Sequence, residues 1–147
     1  MKTLSKIEIS KKNLIHNVAQ FRHLLSDDKR IVAMVKANAY GHGVKEVVEI
    51  LENTVDIFGV DDLDELKEIR EYTQKPVIVF GYVIKEQLKE FIELDAILGV
   101  YDLEIARELN ELGGGKIYVK IDAFLGRQGI LLENVKEFFG ELKELEK

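Results

Sequence analysis

Two short stretches of this 147-residue chain gather residue types that can do covalent chemistry. In the first, Lys36 follows the apolar run 31–35 and precedes Asn38, Tyr40, Gly41, His42 and Gly43. A near-continuous apolar run of that length reads as a strand buried on both faces. Burial disfavours the charged ammonium and pushes a lysine pKa down, and a neutral amine is the nucleophile that forms a Schiff base with a carbonyl compound. The glycine-rich loop after it offers Tyr40, His42 and backbone amides to a ligand. In the second stretch, Lys120, Asp122, Gly126, Arg127 and Gln128 collect at the end of the run 117–121. Two lysines and an arginine brought to one face, with Asp122 as the main compensating acid, make a positive site suited to a phosphate or a carboxylate.

The elements that must position these residues repeat along the chain. Apolar strand cores are predicted at 31–35, 55–60, 77–80, 96–100 and 117–121. Between and after them, apolar residues at three- and four-residue spacing predict helices at 44–52, 63–72, 85–94, 103–112 and 132–145. An earlier helix starts at the N-cap Ser10 and carries Leu14, Val18, Phe21, Leu24 and Leu25 on one face, and 6–10 alternates as a short strand or extended arm. Gly113-Gly114-Gly115 is a helix stop. Alternating strands and helices with short links mean parallel βα units. Two α/β architectures fit five such units: the first part of a TIM-type (β/α)8 barrel, or a complete five-stranded flavodoxin-like doubly wound sheet. Both bind ligands at the carboxyl ends of the strands, where Lys36, Asp61, Asp62, Gly81, Tyr82, Tyr101, Asp102 and Lys120 fall.

Composition narrows the classes. An apolar content of 46% and a charged content of 33% are those of a folded domain with a real core. The net charge of -6, with no basic cluster, argues against nucleic-acid binding. Without cysteine there is no disulfide, thiolate metal site or thiol nucleophile. Residues 1–10 do not read as a signal peptide and no apolar run reaches membrane-spanning length, so the expected location is the cytoplasm, with no membrane partner.

The segment Val35-Lys36-Ala37-Asn38-Ala39-Tyr40-Gly41-His42-Gly43 resembles the pyridoxal-phosphate attachment signature of alanine racemases. Leu14, His16 and Asn17 fall where that family has its first-helix pattern. Val119-Lys120-Ile121-Asp122 and Gly126-Arg127-Gln128-Gly129-Ile130 resemble its stretch at the end of the fifth barrel strand. The resemblance implies an N-terminal (β/α)8-barrel domain, of which residues 1–147 would be roughly the first five βα units, acting on L- and D-alanine with pyridoxal 5'-phosphate. It implies that Lys36 bears the cofactor and is one catalytic base, that Tyr40 binds the cofactor phosphate, and that Arg127 contacts the cofactor's phenolic oxygen and the substrate carboxylate. Lys120 stands where the family often has a carbamylated lysine.

The chain also departs from the family. Ala123-Phe124-Leu125 replaces the usual Thr-Gly-Met and places apolar bulk beside Arg127. The last three barrel strands, which would supply most of the phosphate cup, are expected to be absent. So is the C-terminal β-domain with the second base, a tyrosine reaching across a dimer interface. As it stands the chain is expected to be an inactive or nearly inactive fragment, completed by a homo-oligomer or by the missing C-terminal segment. The competing expectation is a non-enzymatic part-barrel folding or assembly unit. Several residues read as structural: His16 and His23 have no metal-ligand partner, His42 packs on a helix start, and Asp61, Asp62 and Asp64 cap the helix that follows them.

Overall fold

Five parallel strands pair in the order in which they occur in the chain. The computed structural model describes residues 6–145. Strands β1 (Val32–Met34), β2 (Ile57–Val60), β3 (Val77–Val79), β4 (Ala96–Val100) and β5 (Lys116–Val119) form one sheet, β1-β2-β3-β4-β5. This order separates the two predicted architectures. A doubly wound sheet needs a point at which the strand order reverses, so that helices cover both faces. Here every crossover joins nearest neighbours with one hand, so all the intervening helices lie on the same face and the sheet coils as part of a barrel. The flavodoxin-like alternative is ruled out.

The helices are α1 (Lys11–Leu24), a short turn α2 (Lys36–Tyr40), α3 (Val44–Leu51), α4 (Leu63–Arg70), α5 (Leu88–Glu93), α6 (Leu103–Glu111) and α7 (Val135–Leu142). Two of their starts follow predicted caps, Ser10 and Asp62, and Asp102 caps a third. Ser10 Oγ accepts the Asn13 N–H, Asp62 accepts that of Glu65, and Asp102 accepts that of Glu104. After α6, Gly113 and Gly114 take positive φ, and their N–H groups donate to Asn110 and Leu109, as the triple glycine predicted.

One face of the sheet meets the helices and forms the core. Phe58, Val60, Val77, Val79, Leu98 and Val100 are buried there, against Val48, Leu66, Ile69, Leu88 and Phe91 from the helices. The other face is the inner face of the part-barrel, and two glycines make its surface fit. A Cβ on Gly59 would lie 2.4 Å from Met34 Sδ, and one on Gly99 would lie 2.5 Å from the Tyr118 hydroxyl. The large neighbours occupy the space that these glycines leave.

The amino-terminal end departs from expectation in the face of α1, and of the two readings of 6–10 the strand is not formed. Among the described residues, 6–10 form no strand. Of the predicted apolar face of α1, Leu14 and Val18 pack on the core, but Phe21 is 63% and Leu24 is 82% exposed. The cause is position. Helix α1 packs beside α3, and its last turn is tied down by Arg22, which donates to Lys29 O and pairs with Asp56 at 2.7 Å, so polar contacts rather than Phe21 and Leu24 anchor it.

Candidate active site

The chain leaves β1 through an uncommon conformation. Ala37, Asn38, Ala39 and Tyr40 all have φ between 50° and 55°, and Gly41 follows at 84°. The predicted glycine-rich loop is therefore a left-handed helical turn made largely of L-residues with side chains. Such a residue costs roughly 1–2 kcal/mol in this region, so the four together store several kcal/mol. Hydrogen bonds hold the turn closed. Ala39 N donates to Val35 O at 2.8 Å, Gly41 N to Ala37 O at 3.0 Å, and Gly43 N to Asn38 O at 3.0 Å. Asn38, a residue that tolerates this backbone, also caps α3 by accepting the Val44 N–H on Oδ1 at 2.8 Å. His42 Nδ1 lies 2.8 Å from Ala39 O, so His42 is a structural residue of the turn, as predicted.

Lys36 is the first residue of this turn. Its side chain remains 32% exposed, and Nζ meets Asp61 Oδ1 at 3.1 Å. The expectation of a lysine enclosed in a dry site is corrected in this chain, where a carboxylate and solvent share its ammonium. The Asp61 reading is corrected as well. Asp62 alone caps α4, and Asp61 faces Lys36. The register explains why. Met34 pairs with Gly59, so Lys36 and Asp61, each two residues further on, fall in the same inward-facing row.

Lys120 stands on the same face, beyond Tyr118 on β5. Its Nζ donates to Phe80 O at 2.9 Å and to Gln128 Oε1 at 2.7 Å, and lies 5.9 Å from the centre of the Tyr101 ring. Burial first, and then the neighbouring Arg127 charge, push the Lys120 pKa below the ordinary lysine value; the Lys36 charge acts in the same direction and Asp61 opposes it. Lys120 thus feels the charges of Arg127, Asp61 and Lys36. Tyr118 lies on the same face, half-buried, with its pKa pushed up to about 12 by desolvation.

The stretch between Lys120 and Arg127 is a loop with bonds at its ends. Asp122 Oδ1 accepts the Gly126 N–H at 3.0 Å, while Ile130 returns beside the strand end, donating to Lys120 O at 2.8 Å. Phe124 has φ of 82° and is 98% exposed, so its ring points to solvent instead of adding bulk within the site. Arg127 is exposed as well. Tyr40 is 60% exposed and lines a groove of about 470 Å³ with Ser10, Asn13, Met34 and His42, a groove to which Lys36, Asp61, Lys120 and Arg127 contribute nothing. Of the predicted residues, Lys36 and Arg127 lie near enough for Lys120 to feel their charges, and Tyr40 lines a separate groove. Asp61 was misread and Glu65, whose carboxylate accepts the Ala37 N–H, was overlooked. The Asp62-Leu63-Asp64-Glu65 sequence, a capping pattern, was the available signal for it.

Residues 9–147 match the family model described as alanine racemase, N-terminal domain. The chain belongs to this family. It is 36% identical over 147 residues to an alanine racemase of Methanococcus maripaludis, covering 95% of this chain and 39% of that protein. Alanine racemase 2 of Caldanaerobacter subterraneus subsp. tengcongensis is 35% identical over 132 residues, 85% of this chain and 34% of the relative. Among solved structures, alanine racemase from Clostridium difficile 630 superposes with a TM-score of 0.83 at 35% identity, over 92% of this chain and 37% of that one. The chain thus spans well under half the length of the alanine racemases it matches, and it matches within their barrel-type N-terminal domain. Among its described residues, no helix is long and apolar enough to cross a membrane.

Proposed function

We propose that this chain carries the lysine-bearing part of a pyridoxal-phosphate-dependent alanine racemase, with Lys36 as the residue that bears the cofactor. The supporting observation is a primary amine at the carboxyl end of β1, paired with Asp61 on the same inner face as Lys120, which feels both of their charges and that of Arg127. The donor set fits a ligand with one aldehyde and several anionic oxygens. A primary amine can bond the aldehyde, and the Arg127 guanidinium can meet phenolate or carboxylate oxygens. When bound, the cofactor supplies the electron sink that makes an α-proton removable.

The chain's own residues supply position and charge. Lys36 Nζ would hold and return a proton on one face of the substrate, and Tyr40 would donate its hydroxyl to the phosphate. The planar guanidinium of Arg127 suits a carboxylate. The lowered pKa of Lys120 enlarges the fraction of neutral amine, the form that adds carbon dioxide and releases a proton. The resulting carbamate would turn two repelling cations into a bridged pair. Activity on alanine would need a second base on the opposite face, which we assign to chain outside this segment or to a partner subunit.

The test is chemical trapping. Incubation with pyridoxal 5'-phosphate, then borohydride reduction and peptide mapping, should label Lys36, and Lys36→Ala should abolish the label. Equal labelling of the Lys36→Ala chain would overturn the assignment. A second reading, a part-barrel that assembles, is favoured by one observation. Among the described residues β1 and β5 each pair with a single strand, which leaves two sheet edges. Sedimentation showing a monomer at high concentration would count against it.

A further inference from the structure

Glu65 occupies the third position of α4, whose cap residue Asp62 accepts the Glu65 N–H at 2.9 Å. In the usual reciprocal arrangement, a glutamate at this position reaches back to the N–H of the cap residue. Here its two oxygens go elsewhere. Glu65 Oε2 accepts the Asp61 N–H at 2.6 Å, and Glu65 Oε1 leaves its own βα unit to accept the Ala37 N–H at 2.6 Å. Asp61 is one member of the Lys36–Asp61 ion pair, and Ala37 directly follows the other. A single carboxylate therefore ties the end of β1 to the end of β2, at the row where the ion pair sits.

Ala37 is also where the backbone turns left-handed, at φ 50°. The sheet ladder reaches only as far as Val35, whose N–H donates to Gly59 O at 2.8 Å. Beyond that point the Ala37–Glu65 bond joins the strained turn to the neighbouring unit. We propose that Glu65 is a positioning residue for Lys36. It holds the left-handed turn against its strain and so fixes the point from which the amine projects. A carboxylate suits this task because both of its oxygens accept. A glutamine there would accept one N–H and turn its own NH2 donor toward the other. The inference rests on the proposed role of Lys36 as the cofactor lysine.

Two measurements on the full chain separate this inference from that reading. The first needs no cofactor: amide hydrogen exchange of residues 37–43, compared with that of α3 and of β2. Glu65→Gln should speed exchange in the turn by about tenfold while residues 48–51 and 57–60 change little, as local opening does. The second is the concentration of pyridoxal 5'-phosphate that half-labels Lys36 under borohydride, which Glu65→Gln should raise by about tenfold through lost preorganisation. The discriminating variant is Ala37→Gly. Glycine enters the left-handed region without the steric cost, so adding Ala37→Gly to Glu65→Gln should recover most of the lost labelling. A purely structural cap would show no such rescue. Should Glu65→Gln fold poorly, Glu65→Asp keeps the charge, shortens the reach to Ala37, and should open the same segment. Unchanged exchange in the turn, a uniform rise across the whole chain, or failure of Ala37→Gly to rescue would each overturn the proposal. Absence of any Lys36 label in the unmutated chain would sink the cofactor reading, and the exchange measurement would still decide the role of Glu65.

Discussion

The segments that follow β1 and β5 both contain L-residues with side chains in the left-handed region, and they are built in opposite ways. After β1, the backbone groups of Ala37–Ala39 bond to Val35, Glu65, Gly41, His42 and Gly43, and Ala39 is buried in the core. After β5, Phe124 sits at φ 82° with its ring in solvent, and the loop is fixed by Asp122–Gly126 and by the return of Ile130. Strain persists where surrounding bonds over-determine it, and the first segment meets that condition far more fully than the second. The contrast assigns the two candidate groups different mechanical properties. Lys36 projects from a preset frame, whereas Arg127 rides on a loop pinned at its ends.

The sharpest way to break this contrast is to damage the frame. Asn38→Val removes the cap on Val44 and puts a β-branched residue at φ 54°, and should cost about 2–3 kcal/mol in urea unfolding. A loss below about 1 kcal/mol would mean that the turn is not held as described. A second, smaller effect concerns the floor on which both segments stand. The folded-state pKa of Tyr118 is about 12, above its ordinary value near 10, so the neutral hydroxyl is favoured by folding. The sign follows directly: this contribution is complete below pH 10 and is lost as pH rises from about 10 through about 12. Alkaline unfolding followed by tyrosinate absorbance should show that dependence, and Tyr118→Phe should flatten it; an unchanged profile would contradict the assignment. The smallest effect tests the loop. Phe124→Gly relieves both the left-handed strain and an exposed ring and should stabilise the chain by about 0.5–1 kcal/mol, measured as a raised urea midpoint. Destabilisation there would mean that Phe124 has a contact the loop geometry does not show.

Much of this was legible because the relevant signals are local. The five apolar runs, the Ser10 cap and the Gly113-Gly114 stop are decided by neighbouring residues, and the five predicted strands and the helices after them appear within a few residues of their places. Lys36 could be placed at a strand end for the same reason. The strand order could not be read, because periodicity says nothing of which strands become neighbours. The left-handed turn was equally hidden. Its sequence, Ala-Asn-Ala-Tyr, has an asparagine but no glycine until Gly41, and part of what holds it arrives from Glu65 in the next βα unit. Asp61 was confused with Asp62 because adjacent residues on a strand end point to opposite faces, and only the Met34–Gly59 pairing fixes which of the two faces inward. Phe124 illustrates the converse: its position was read correctly, but the direction of its ring depends on a φ angle that sequence does not reveal.

The inner-face glycines have a consequence for inheritance. Gly59 on β2 makes room for Met34 from β1 and for the ring of Phe80 just past β3, while Gly99 on β4 makes room for Tyr118 from β5. Each small residue and its lodgers form a lineage that must travel together. A recombination that joins this chain to a foreign barrel between residues 81 and 95 keeps both sets intact, whereas one that falls between β1 and β2 or between β4 and β5 separates host from guest. Chimeras cut at those points should inherit either a hole or a clash, so the tolerated seam in this half-barrel lies between its third and fourth strands.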